Sequence, residues 1–178
     1  MAQNNDSEEK KTDTSARNKA GTWEERDVTA WAVKTLTESL MNCQYQLPAE
    51  IMSNSSGEGL AKVTKVTKLK SHTDGGTAHA FYASVRGKKR YIYEFCVGLN
   101  WELTLPGDDK ASGTMSFPDV DGTCELGDGY DLVEFTVNCD ESTASTQPLV
   151  EKFVRHGGLR NIIHDTIDDW VRTFRNTY

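Results

Sequence analysis

The chain has only four cysteines and four prolines in 178 residues, and no apolar run approaches the length of a membrane span. Cys43, Cys96, Cys124 and Cys139 lie far apart with no C-x-x-C pair, so they read as reduced thiols and not as a disulfide framework. The N-terminal "MAQNNDSEEKKTDTSARNKAG" lacks the hydrophobic stretch of a secretory signal, so a cytoplasmic location and no membrane association are expected. The motifs of common chemistries are missing too. There is no H-E-x-x-H, the histidines do not pair with cysteines at zinc spacing, and no G-x-S-x-G supplies a nucleophile elbow. "NSSGEGL" lacks the Gly-Lys-Ser/Thr ending that cradles phosphates. The acidic run "FPDVDGTCELGDGYD", with Asp119, Asp121, Asp128 and Asp131, departs from the spacing of a calcium loop and reads as a hairpin loop. No catalytic residue, metal site or cofactor is expected.

What is present is unevenly distributed. The formal net charge is −7, yet the eight cations between Lys62 and Arg90 face only Asp74. That segment is therefore +7 and the remainder −14, a polarity that steers encounters with partners. Its densest part is "SVRGKKRYIYEF", where Arg86, Lys88, Lys89 and Arg90 crowd five positions.

Residues 1–20 are polar, with too little apolar surface to offset the entropy of ordering, and are expected to be a disordered tail before a single domain over 21–178. "DVTAWAVKTLTESLM" places Val28, Trp31 or Ala32, Leu36 and Leu40 at helical spacing, with Asp27 or Thr29 as N-cap. From Tyr91 to Leu105 every odd position is bulky, a period of two that predicts a long strand with one buried face. Residues 131–139 repeat that alternation, Met115 and Phe117 mark a shorter strand, and Phe81, Ala83 and Val85 alternate before the basic knot. Pairing 77–85 with 90–105 makes Arg86-Gly87-Lys88-Lys89 the connecting turn, with Gly87 free to take positive φ. A helix from Gln147 to Phe174 closes the chain, and Gly157-Gly158 either bends it or splits it in two. The sum is a two-layer α+β domain: an antiparallel meander of about four strands, an N-terminal helix, and a long C-terminal amphipathic helix.

Four pieces carry a family resemblance: "WEERDVTAWAVKTL" (Trp23 to Leu36), "RGKKRYIYEF" followed by "CVGLNWEL", "MSFPDV", and the closing helix. In this order the sequence resembles the N-terminal domain of the activators of the heat-shock protein 90 ATPase. The resemblance implies a curved antiparallel sheet with a helix at each end. It also implies a co-chaperone, monomeric when alone, that docks on the middle domain of the chaperone and stimulates its ATPase without being an enzyme itself. Its basic hairpin, an R-K-x-K pattern in the family, would help remodel a catalytic loop of the partner. Arg86 and Lys88 match the second and last basic positions and Val85 replaces the first, with Lys89 and Arg90 standing in for it. The implied partner-binding set is Arg86, Gly87, Lys88, Lys89, Arg90 and Trp23. Trp23 is what remains of the family's N-x-N-N-W-H-W motif, which here reads "NKAGTW". Many members add a C-terminal domain after a linker, whereas this chain ends at Tyr178.

Two other readings use the same residues. A nucleic-acid-binding sheet would employ the cations with Tyr91 or Tyr93 as stacking platforms, although the aromatics at odd positions look like the core face and no RNP-like pattern occurs, so no nucleic-acid partner is expected. A small-ligand protein would enclose an apolar cavity between sheet and helix.

Overall fold

The computed structural model describes residues 23–52, 58–70, 78–107, 109–138 and 146–178. The expected polar tail lies outside them. Seven strands form one antiparallel sheet: β1 (Trp23–Asp27), β2 (Gln44–Gln46), β3 (Leu60–Lys70), β4 (His79–Val85), β5 (Lys88–Thr104), β6 (Lys110–Asp121) and β7 (Glu134–Asn138). The long strand β5 is the axis. Glu94 pairs with His79 and Asp121, and Gly98 with Lys68 and Ser116. Thus β4 and β3 follow each other along one side of β5 while β6 occupies the other. Outside them lie β1 against β4, β2 against β3, and β7 against β6. The meander β4–β7 matches the sequence expectation; β1, β2 and β3 extend the sheet beyond it.

The alternation in β5 is realised. Tyr93, Phe95, Val97, Leu99, Trp101 and Leu103 are buried under the helices. β6 follows with Ala111, Met115, Phe117 and Val120, and a register shift at its Pro118-Asp119 accommodates the proline as a bulge. β4 differs from the expected face. Cross-strand partners share a face, so Ala80 opposite Tyr93 and Tyr82 opposite Tyr91 look toward the helices, while Phe81 opposite Ile92 looks away. Ala78 and Ala80, both buried, put small side chains on the face that carries the rings of β5 and the C-terminal helix.

Helix α1 (Thr29–Met41) buries Ala32, Leu36 and Leu40. Val28, and neither Asp27 nor Thr29, occupies the N-cap position. Both polar neighbours still serve the junction. The Asp27 carboxylate accepts from Thr29 N–H at 2.8 Å, and Thr29 Oγ1 accepts from Ala80 N–H at 3.1 Å, pinning the helix to β4. Bonds from Thr29 hold the Asp27 carboxyl below its ordinary range.

The C-terminal helix is split. α2 (Gln147–Val150) runs into a π-helical turn, Glu151–Arg155, and α3 (Leu159–Thr177) starts afresh. Gly158, at φ +47°, makes the break, and a Cβ there would stand 2.3 Å from the Phe153 carbonyl oxygen. α3 buries Leu159, Ile163, Ile167, Trp170, Val171 and Phe174 against the sheet. Trp170 meets Phe95 edge-on at 5.5 Å, and its indole N–H donates to Thr35 Oγ1 at 2.9 Å, joining the two helices. Among the described residues no helix is long and apolar enough to cross a membrane.

Candidate partner-binding hairpin

The β4–β5 connection is tighter than its sequence suggests. Val85 pairs with Lys88, so only Arg86 and Gly87 form the turn. Both have positive φ, 50° and 78°, the pattern of a two-residue turn whose twist matches the flanking strands. Glycine takes this conformation freely; Arg86 takes it against the usual steric preference of a side chain, held by the ladder on either side.

Because Lys88, Lys89 and Arg90 belong to the strand, their side chains alternate. Lys89 points to the helix side, where its Nζ donates to the Tyr178 main-chain oxygen at 2.6 Å and lies 5.7 Å from the Tyr82 ring. Tyr91 points the same way and donates its hydroxyl to the Arg175 carbonyl at 3.0 Å. Tyr178 sits edge-on to Trp31 at 5.3 Å and beneath Arg26 at 5.6 Å. The end of α3 and the root of the hairpin are therefore one packed unit. The cation at a helix C-terminus also suits the carbonyl end of the helix dipole.

Arg86, Lys88 and Arg90 have the other environment. All three are exposed, with no side-chain hydrogen bond or ion pair to a described residue. Beside Arg90 on the far face stand Ile92, 55% exposed, and its cross-strand partner Phe81, which stacks on His79. Exposed Ile92 and half-buried Phe81, flanked by three cations without partners among the described residues, leave this face open to contact. β1 runs along the same hairpin. Trp23 is opposite Val85, which brings the main chain of this tryptophan beside the turn; its side chain lies outside the described residues.

Tyr93 is buried and Tyr91 is engaged with α3, so neither offers a free ring face for base stacking. Two clefts bounded by described residues are at the surface. One of about 370 Å³ is lined by Gly127, Asp128, Gly129, Asn161, His164, Asp165 and Asp168. The other, of about 350 Å³, lies between Arg26, Trp31 and Tyr178.

The first cleft exposes a feature that sequence reasoning missed. Asp168 of α3 is buried, and its carboxylate accepts from Gly127 N–H and from Tyr130 Oη–H, each at 2.8 Å. It ties the acidic loop after β6 to the helix. Burial and the bond to Asp168 push the Tyr130 phenol well above its ordinary pKa, and burial pushes Tyr93 up to about 12. The signal in the sequence was a carboxylate inside the apolar arc of α3, between Ile167 and Trp170. Asp121 instead folds back on its own loop, accepting from Thr123 N–H at 2.7 Å. Among the described residues no three acidic, histidine or cysteine side chains converge as metal ligands.

No curated protein matches the chain. Solved structures do. The crystal structure of Aha-1 from Plasmodium falciparum is similar at 12% identity, over 86% of each chain, with a TM-score of 0.56. The solution structure of the human Aha1 N-terminal domain is similar at 22% identity, over 84% of this chain and 94% of that one, with a TM-score of 0.50. At such identities the likeness shows the fold alone. The sequence itself matches the family described as "Activator of Hsp90 ATPase, N-terminal" over residues 25–178, a span that runs from β1 through the basic hairpin to the end of α3, and the chain belongs to that family.

Proposed function

We propose that the protein is a cytoplasmic co-chaperone, not itself an enzyme, that docks on the middle domain of heat-shock protein 90 and raises the chaperone's ATPase rate. The observation that carries this reading is the hairpin. In a chain of this family, Arg86, Lys88 and Arg90 project beside exposed Ile92 without partners among the described residues, and Arg86 and Lys88 fall where the resemblance sets the family's basic motif. Arg86, Lys88 and Arg90 present the charge and Gly87 permits the turn. Lys89 holds the root of the hairpin, and Trp23 contributes from the adjacent strand. An acidic body with a basic tip orients the approach and suppresses wrong encounters.

The test is the double variant Arg86→Ala, Lys88→Ala. Binding to the chaperone should weaken about tenfold at low ionic strength, between the small loss of a rim charge and the large loss of a buried pair. ATPase stimulation should stay below the wild-type level even at saturating domain if the tip acts on the partner's catalytic loop. Recovery of the full rate at high concentration assigns the tip to anchoring alone. Wild-type binding and stimulation across low and moderate salt would sink the proposal.

A further inference from the structure

The sheet face turned away from both helices carries a second column of cations, on β3. Its sequence "VTKVTKLK" has apolar residues every third position, which a regular strand cannot keep on one face. Continued inward from Ala61 and Val63, a period of two would bury Lys65 and expose Val66. The register prevents this. Val63 and Lys65 pair with the consecutive residues Trp101 and Asn100, and Val66 and Lys68 with Leu99 and Gly98, so that twice an extra β3 residue is looped out. Val63 is buried, Val66 and Leu69 pack against the core, and Lys65 and Lys68 are exposed. The second bulge also depends on Gly98. A Cβ there would stand 2.9 Å from Lys68 Cβ and 3.0 Å from Thr67 Oγ1.

These irregularities give the column a regular outward spacing. Lys65 and Lys68 stand opposite Asn100 and Gly98, two residues apart in β5, so they repeat at about 7 Å, the distance between alternate side chains of an extended chain. Lys62 continues the column but is partly neutralised by Glu102, 3.5 Å away. Beside the column the face is polar and also carries carboxylates, Glu102 opposite Lys62 and Glu134 opposite Ser116 in the row that runs from Lys68 through Gly98. Asn100 pairs with Thr114, and Thr114 with Thr136, their hydroxyls 2.7 Å apart.

We propose that this face is a second interaction surface, distinct from the hairpin, which takes an extended, carboxylate-rich polypeptide segment of a partner protein. Alternate carboxylates of the segment meet Lys65 and Lys68, and its remaining polar groups meet the amide and hydroxyl floor. Charge complementarity selects an anionic occupant, and the floor selects polypeptide over nucleic acid. The rings of Phe95, Trp101 and Phe117 lie in the core, and Phe81, the aromatic on this face, stands opposite Ile92 on the hairpin side, so it does not adjoin Lys65 and Lys68 as a platform for bases.

Titration with poly-L-glutamate, followed by backbone amide NMR, tests this with the chain alone and independently of any chaperone. Shifts are expected at residues 64–68, Gly98 and Thr114. Lys65→Glu with Lys68→Glu should weaken binding by about tenfold at low ionic strength, whereas Arg86→Ala with Lys88→Ala should change it by less than about twofold. Gly98→Ala should also weaken it, because it disturbs the bulge without altering charge. Shifts confined to residues 86–90, unchanged affinity in the Lys65/Lys68 variant, or tighter binding of single-stranded DNA through the same amides would each overturn the proposal.

Discussion

At the tip of the β4–β5 hairpin, Arg86, Lys88 and Arg90 are exposed without partners among the described residues, whereas the acidic loop after β6 is tied down by a carboxylate almost removed from water. Asp168 is 4% exposed and receives two hydrogen bonds, from Gly127 and Tyr130. Both regions are rich in like charge, yet solvent access gives the charges different consequences. An exposed charge loses little when it is removed and is available for an encounter. A buried, hydrogen-bonded one leaves unpaired donors behind when it goes. Charge density alone does not tell a binding tip from a structural latch; the polar atoms each group faces do.

The largest expected effect lies on the latch. Asp168→Ala leaves the Gly127 N–H and the Tyr130 hydroxyl without their acceptor, and should cost about 2–4 kcal/mol of stability, read as a lower urea midpoint. Tyr130→Phe removes only one donor and should cost about 1–2 kcal/mol. If Asp168→Ala unfolds at the wild-type midpoint, the contrast with the tip collapses.

Much of the fold was legible where periodicity was long and regular. The odd positions of β5 and the apolar stripe of α3 declare one face for many residues. β3 was hidden because two bulges replace a period of two with one of three, and a strand template finds no match in Val63, Val66 and Leu69. β1, "WEERD", carries almost no apolar alternation to read. The inward face of β4 was misjudged because its core positions are alanines, whose weak signal yields to Phe81 on the other side. At the site, the cluster of cations was plain from sequence, but not their division. Lys89 parts from its neighbours only once the ladder fixes which side chains face α3. Asp168 shows in the sequence only as a carboxylate inside the apolar arc of α3, and its partners stay hidden for a related reason: its donors are 38 and 41 positions away.

A second, smaller effect sharpens the comparison through pH. His164 lies beside the latch, edge-on to Phe117 at 5.5 Å and Tyr130 at 5.7 Å, with the Arg160 Nε–H donating to its Nε2 at 3.3 Å. Burial first, and then Arg160, holds its pKa below the ordinary 6.5, against the opposing pull of Asp168 and Asp165. The unfolded chain therefore binds this proton more readily than the folded one. The contribution of neutral His164 is fully present above pH 6.5 and is lost as pH falls from there through the folded-state pKa. Urea midpoints measured across this window should fall toward acid, and His164→Gln should flatten that slope. The tip contains no histidine, so Arg86→Ala should leave the slope as it is. A His164→Gln protein with the wild-type slope would move the pH dependence to other groups.

The smallest expected effect separates adjacent residues of one strand. Lys89 donates to the Tyr178 main-chain oxygen at 2.6 Å and lies over the Tyr82 ring, while Lys88 and Arg90, pointing the other way, meet no described partner. An exposed hydrogen bond to a cation and an exposed cation–π contact are each modest, and the lysine gives up rotamer freedom to make them. Lys89→Ala should therefore cost about 0.5–1 kcal/mol, and Lys88→Ala less than about 0.3 kcal/mol. Amide exchange gives a local readout that the global midpoint does not. With Lys89 removed, the hairpin root keeps Tyr91 and its bond to Arg175 but loses its second attachment to α3, so the amides around Lys88 to Tyr91 should exchange faster, while those of β6 stay unchanged. Lys89→Arg should restore much of the protection, since a guanidinium can reach the same oxygen. Lys88→Ala should leave exchange in the hairpin unaltered and act only on partner binding. If Lys88→Ala and Lys89→Ala prove equal in both midpoint and exchange, Lys89 belongs with the exposed tip and the hairpin is not braced from the end of α3.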